Sequence, residues 1–429
     1  MNLLLQIPVE IRLAALSLLG AAVGGQLNRG IYGLACEPRN ISPWAPAPPA
    51  APARSWADRI PVLGWWRMRR ETPWHGRGFW VRPLLIELAT GAAFAVLYWL
   101  ETERLMLWPR HPGHAVPSSL VVHAQFLSHA ILLALMIVAT FIDFDEKTIP
   151  DAITVTGSAL GLLVAACLPM AALPTLHQPV LGPASLHHLV LTSSTTSAQW
   201  LDGWGGPCSW PAVLDQPLGL AAGLAAVWLW CFAILDKTWT TRHGILRAFQ
   251  YLAASVARRR SWQVPLALGA GLSLLLVAVW TLGAERWQAL LSAVAGLGFG
   301  GALIWGVRIV GGHALRTEAM GFGDVTLMAM IGAFLGWQCA LLVFFVAPFT
   351  ALLIATTQWL ITGNRLIAFG PYLCLASVIV VGFWSAIWYN WALDLFTFGW
   401  FIPLALLCCL VAMGGLLWVW RILREAFFY

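Results

Sequence analysis

Two short stretches of this chain carry carboxylates where the surrounding sequence is apolar. One reads ATFIDFDEKTIPDAITV and holds Asp143, Asp145, Glu146 and Asp151. The other reads MGFGDVTLMAM and holds Asp324 after Gly321, Phe322 and Gly323. An ionised carboxylate inside hydrocarbon costs at least about 2.5–3.5 kcal/mol, so such groups mark pathways or active sites more often than packing. Two carboxyl groups brought close cannot both ionise easily: one keeps a proton and the other serves as a base. The pair then titrates as a unit. Such a pair can activate a water while protonating a carbonyl or a leaving amine. Asp143 closes an apolar run, and Asp324 follows two glycines that let backbones approach closely. These two are the candidate catalytic pair. Asp145 and Glu146 read more simply as solvated headgroup-level charges. Asp151, directly after Pro150, reads equally well as a helix N-cap.

For the pair to meet, the elements carrying it must be membrane helices packed side by side. The chain has 429 residues, 59% hydrophobic and only 10% charged, against about a quarter charged in average proteins. Apolar runs of roughly 20 residues recur, the length that crosses a bilayer. They are continuous rather than alternating, which excludes a β-barrel. The expected fold is all-α, a polytopic membrane helical bundle of about nine to eleven transmembrane helices. Spans are expected near 11–27, 83–100, 120–142, 152–173, 217–235, 264–284, 288–310, 325–337, 339–361, 371–390 and 397–420. The eighth is short and is expected to be tilted or broken, ending at Gly336-Trp337. Asp143 closes the third span and Asp324 opens the eighth.

The chain divides into a first span at 1–28, a hydrophilic segment at 29–82, spans at 83–173, an external loop at 174–216, two further spans with a basic loop at 217–284, and a closing set of spans at 285–429. The net charge of +6 is mostly clustered arginine. Arg29, Arg39, Arg54, Arg59, Arg67, Arg69, Arg70, Arg77 and Arg82 fall in one segment, and Arg242, Arg247, Arg258, Arg259 and Arg260 in another. Flanking spans, they mark the cytoplasmic side rather than a nucleic-acid surface. No nucleic-acid partner is expected, and the basic loop suits anionic membrane lipids. The first apolar stretch lacks a basic lead-in and is read as a span rather than a removed signal. The 8 cysteines form no CxxC pair, so neither a metal site nor a disulfide framework is expected.

These residues resemble a known family, the prepilin peptidases, which are GxGD-type membrane aspartic endopeptidases. The GxGD element is Gly321-Phe322-Gly323-Asp324, continuing as VTLMAMIGAFLGWQ. Asp143 is followed eight residues later by the aspartate of Ile149-Pro150-Asp151, as in the family. GAAVGGQLNRGIYGL, SWADRIPVLGWWRMRR, VRPLLIELATG and AFGPYLCLA are similar to further family segments and stand in the family's order. The resemblance implies that Asp143 and Asp324 are the catalytic pair, and that Gly321, Gly323, Asp145, Glu146, Pro150 and Asp151 bind substrate or shape the site. It implies type IV prepilin or pseudopilin substrates, cleaved at the cytoplasmic face of the inner membrane.

The departures are as informative. Typical members carry two CxxC pairs in the first cytoplasmic segment. Here Cys36 stands alone there, and ETPWHGRGFWVRP replaces the second pair. A structural zinc site needs about four ligands, so no metal is expected. Trp56, Trp65, Trp66, Trp74 and Trp80 are read as interfacial anchors that help the segment keep its shape. The peptidase reaction needs no cofactor. S-adenosylmethionine is implied only if the family's N-methylation of the new N-terminus survives, and the missing cysteines count against that. Thr326 stands where many members have lysine. Segment 217–284 is read as an insertion. Three other readings remain: a proton-coupled transporter, a non-catalytic assembly factor, and an intramembrane aspartyl protease acting on another substrate.

Overall fold

A computed structural model describes residues 6–38, 41–48, 51–109, 117–177, 185–191, 210–235, 250–251, 254–256, 258, 262–317, 320–362, 368–396, 398–399 and 401–428. Most of the loop at 174–216 and the arginines at 39, 242, 247, 259 and 260 lie outside the described residues, as does Cys208.

Among the described residues, ten helices form the body. They are α1 (Val9–Gly33), α2 (Val81–Tyr98), α3 (Ser119–Glu146), α4 (Asp151–Cys167) and α5 (Pro217–Ala233). They continue as α6 (Gln263–Leu282), α7 (Ala284–Leu315), α8 (Phe322–Thr362), α9 (Gly370–Gly382) and α10 (Phe401–Phe428). The chain is an all-α, multi-pass membrane bundle. The expected nine to eleven spans are distributed unevenly. Seven described helices are long and apolar enough to cross alone, or eight if the bent pair Gly370–Gly382 and Trp384–Phe396 counts as one. Two more, α4 and α5, are apolar but shorter. The eighth and ninth expected spans are the two arms of α8, divided at Gly336, where φ is 82°.

That break has a physical consequence. The first arm of α8 holds about 14 residues, so it rises only ~21 Å, short of the ~30 Å hydrocarbon core. Polar backbone at such a depth must be satisfied by protein. A two-stranded antiparallel hairpin, β1 (Pro174–His177) and β2 (Ser185–His188), precedes the segment that meets the break. Trp337 Nε1 donates to the Leu191 carbonyl at 2.9 Å, and Gln338 Nε2 to that of Val190 at 2.8 Å.

Helix contacts follow small residues, as expected where lipid removes the hydrophobic drive and close approach decides packing. A Cβ on Gly296 of α7 would run into the Gly332 carbonyl of α8, and one on Gly332 into that of Gly296. On α1, a Cβ on Gly24 would lie 2.8 Å from the Glu87 Cα of α2. The main core lies along α3, α8 and α9 and includes Leu132, Met136, Ile142, Leu327, Met328, Ile331 and Leu373. A second core joins α5, α6 and α7 through Val227, Leu276, Trp287 and Leu290.

Candidate active site

Four helix ends meet at one face of the bundle. α3 arrives there with Asp143 in its last turn, and α4, α8 and α9 begin there. The link from α3 to α4 is tight. Lys147 adopts φ 57°, its N–H bonding the Asp143 carbonyl at 3.0 Å, and Pro150 sets the start of α4. This turn buries Ile149 between two glycines. A Cβ on Gly323 would lie 2.9 Å from Ile149 Cβ; one on Gly370 would lie 2.7 Å from both Ile149 Cδ1 and Asp143 Oδ2. Only residues without a side chain allow α8 and α9 to begin this close to the turn.

Both candidate carboxylates are buried, Asp143 at 4% and Asp324 at 8% exposure. Asp143 accepts a hydrogen bond from the Gly370 N–H at 3.1 Å, at the electropositive start of α9. Asp324 accepts one from the Gly321 N–H and feels the charge of Asp143 directly. Buried Cys374, one turn into α9, feels both carboxylates. The buried Tyr372 hydroxyl has no hydrogen-bond partner within the described structure. Among the described residues neither Asp143 nor Asp324 forms an ion pair. The structure thus brings two buried carboxyl groups from distant parts of the chain to one face of the bundle.

The other expected site residues fall into place differently. Gly321 and Gly323 lie in the loop and first turn leading to Asp324. Gly321 supplies its N–H to that carboxylate, and Gly323 takes the contact with Ile149. Asp145 is half-exposed and held by Arg82 Nη1 through both oxygens, at 2.9 and 2.7 Å. Glu146 accepts the backbone N–H groups of Cys36 and Glu37 at 2.7 and 3.2 Å. Both therefore fasten segment 29–82 and α2 to the end of α3 rather than standing as free headgroup charges. Asp151 is exposed at the first turn of α4; Pro150 holds the N-cap position, without a side-chain cap bond. The capping reading of Asp151 is thus replaced by a charge beside the helix N-terminus, which the macrodipole favours. Thr326 is buried, accepting from Thr154 Oγ1 at 2.9 Å and donating to the Gly323 carbonyl at 3.1 Å, so it joins α4 to α8.

Gly370 and Ile149 were not singled out by sequence reasoning. The signal available for the first was Gly-Pro opening an apolar run in AFGPYLCLA. The second stood in Ile149-Pro150-Asp151, a motif read for its aspartate rather than for its isoleucine.

Segment 29–82 keeps its shape without a tetrathiolate. Asp58, fully buried, takes Arg67 at 2.9 Å, Arg70 at 2.7 Å and the Ser55 N–H at 2.7 Å. Glu71, also fully buried, takes Arg54 at 2.7 and 3.0 Å and His75 at 3.3 Å. Glu87 of α2 accepts from Trp65 Nε1 at 2.8 Å and from the Val62 N–H, which ties the segment to the membrane helices. The tryptophans divide accordingly. Trp65 is buried as a hydrogen-bonded core residue, whereas Trp56, Trp66 and Trp74 are exposed. Cys36 faces Thr148 at 3.7 Å, and no three potential metal ligands lie together among the described residues. The donor set present does not suit a structural zinc ion.

Comparison with known proteins bears on the second half of this site. Residues 259–356 match the type IV leader peptidase family. The match takes in Gly321–Asp324 and begins after Asp143; it also includes α6, the second of the two spans read as inserted. A prepilin leader peptidase/N-methyltransferase of Escherichia coli is 35% identical over 104 residues, 24% of this chain and 44% of that protein. The protein of that name from Dickeya chrysanthemi is 35% identical over 107 residues, 23% of this chain and 36% of its own. The Aeromonas salmonicida protein is 31% identical over 107 residues, 24% and 35%. The chain thus spans less than half the length of these curated relatives. No solved structure matches.

Proposed function

We propose that this protein is a membrane aspartic endopeptidase that removes the leader from type IV prepilins or pseudopilins, with Asp143 and Asp324 as its acid–base pair. The observation that carries the reading is the burial of two carboxylates from distant parts of the chain at one face, with no ion pair among the described residues and within electrostatic reach of one another. The family match over residues 259–356 and the names of the relatives support the substrate class. The arginine-bearing segment that Asp145 and Glu146 fasten to this face supports a cytoplasmic orientation in the inner membrane.

In the proposed mechanism a water lies between the two carboxyl groups. One carboxylate takes its proton as the oxygen attacks the scissile carbonyl, while the other carboxyl protonates the carbonyl oxygen. The resulting diol returns a proton to the second carboxylate as its C–N bond breaks, and the amine leaves with the proton held by the first carboxyl. No acyl-enzyme forms. Gly321 and Gly323 leave room for the substrate backbone. The relatives' names also include N-methyltransferase. Methyl transfer here would need S-adenosylmethionine, and the site described assigns no residue to it. The transporter and assembly-factor readings are not favoured by the family match.

The test is co-expression with a candidate prepilin and mass spectrometry of its N-terminus. The expected product is the chain shortened to a new N-terminus at the start of its apolar helix. Added mass of one methyl group would reveal the second activity. Unchanged cleavage by Asp143→Asn or Asp324→Asn protein at normal levels would refute the pair.

A further inference from the structure

We infer that the cleft between α2 and α9, floored by α3, receives the apolar helix of the substrate; this rests on the peptidase reading above. The cleft has a volume of about 200 Å³. Leu132, Leu133 and Met136 of α3 form its floor, with Val96 of α2 and Val378 and Val381 of α9 on its sides. Val96 is 53% and Val378 45% exposed, so the cleft opens toward lipid.

Its register is set by the active site. Asp143 and Gly370 are joined by a hydrogen bond at the face where α3 ends and α9 begins. Met136 and Leu132 precede Asp143 by seven and eleven positions, and Ser377 and Val381 follow Gly370 by the same two intervals. Seven and eleven residues are about two and three helical turns, so both linings lie on the faces that carry the site, ~10–17 Å deeper into the membrane. The cleft therefore lies on the same two helix faces as the carboxylate pair, about two helical turns deeper in the bilayer. At its outer end stands His129, its Nδ1 bonded to buried Glu101 at 2.7 Å.

The lining favours a helix over an acyl chain. Ala93 and Gly382 flank the apolar residues, and small residues are what let a second helix backbone come close. A peptide lying at this depth must in any case be helical to satisfy its own backbone. With its scissile bond at Asp143 and a rise of 1.5 Å per residue, a substrate helix would place roughly its seventh to eleventh residues in the cleft.

A photo-crosslinking amino acid at Val378, in the full-length protein co-expressed with a prepilin, tests this. A control position is Leu274, which faces outward on α6. The expected result is an adduct at 378 that maps to those substrate residues, and none from 274. Adducts at 378 to lipid alone, or equal adducts from both positions, would overturn the proposal. Cleavage in the same cells separates the two readings. Cleavage without the adduct sinks the cleft and leaves the peptidase, whereas the adduct without cleavage leaves the cleft and sinks the peptidase. Neither signal removes both.

Discussion

Two groups of buried carboxylates lie near the same face of this molecule, and their surroundings are opposite. Asp58 and Glu71, in the segment between α1 and α2, are each wrapped by arginine. Asp143 and Asp324, where helix ends converge, form no ion pair among the described residues; they have backbone N–H groups, each other and, for Asp143, only the more distant charge of Lys147. Burial pushes against the charge of Asp58, but the Arg67 bond, the Ser55 N–H and the nearby Arg70 outweigh it and hold its pKa at about 2. Burial likewise opposes charge on Glu71, and Arg54 again wins, lowering its pKa. A carboxylate fixed as an anion is a structural part: it can hold loops in place but cannot exchange a proton near neutral pH. A buried carboxylate without an ion-pair partner is not fixed as an anion in this way, which catalysis needs and stability does not.

The sharpest way to break this contrast is to neutralise each group in turn. Asp143→Asn or Asp324→Asn is expected to lower prepilin cleavage by about 10²–10⁴-fold, the range of acid–base catalysis. Thermal stability in detergent should be unchanged or raised, because a desolvated charge without a partner is removed. Loss of folding in either variant would mean that these carboxylates are structural after all.

Gly370→Ala comes next. Its methyl group would meet Asp143 Oδ2 and Ile149 Cδ1 at 2.7 Å, so the carboxylate or α9 must shift. A displacement near 1 Å is enough to cost about 10²-fold in rate. Cleavage kinetics on the purified variant check this, and an unimpaired enzyme would show that α9 does not position Asp143.

Asp58→Asn should act in the other direction, on stability first. A pKa of about 2 in the folded protein, against roughly 3.9 unfolded, is worth on the order of 2 kcal/mol. The folded value is depressed, so this contribution is fully present above about pH 4 and is lost as pH falls toward 2. The variant should expose segment 29–82 to limited proteolysis at neutral pH, and the wild type should do so only on acidification. Equal protection of both would show that the arginine cluster does not hold the segment.

Why the candidate pair stood out in the sequence and the segment's buried acids did not follows from the same physics. Asp143 and Asp324 stood out because a carboxylate in an apolar run is expensive, and GxGD placed one where close approach was free. The break at Gly336 was legible from a span too short to cross. Asp58 and Glu71 lie among nine arginines, where acids look solvated; only the folded chain shows which arginine each one meets. The partners of Asp145 and Glu146, Arg82 and the N–H groups of Cys36 and Glu37, were hidden for a similar reason, being far away in sequence. Ile149 carries no chemistry, and its role exists only because two glycines from other helices close on it.

The smallest effect concerns the ion pair that lies between the two settings. Arg82 and Asp145 meet at 2.7 Å with both side chains 35% exposed. An exposed pair of this kind is worth up to about 1 kcal/mol, and salt weakens it. A double-mutant cycle on Arg82→Ala and Asp145→Ala should return a coupling within that limit. The same variants decide whether Asp145 also greets a basic leader. Arg82 already occupies both of its oxygens, so a leader's cation would have to displace it, and Asp145→Ala should raise KM by less than about fivefold, the factor that ~1 kcal/mol allows. A larger rise in KM, with kcat intact and with Arg82→Ala lowering KM instead, would move Asp145 out of the structural group and into substrate recognition.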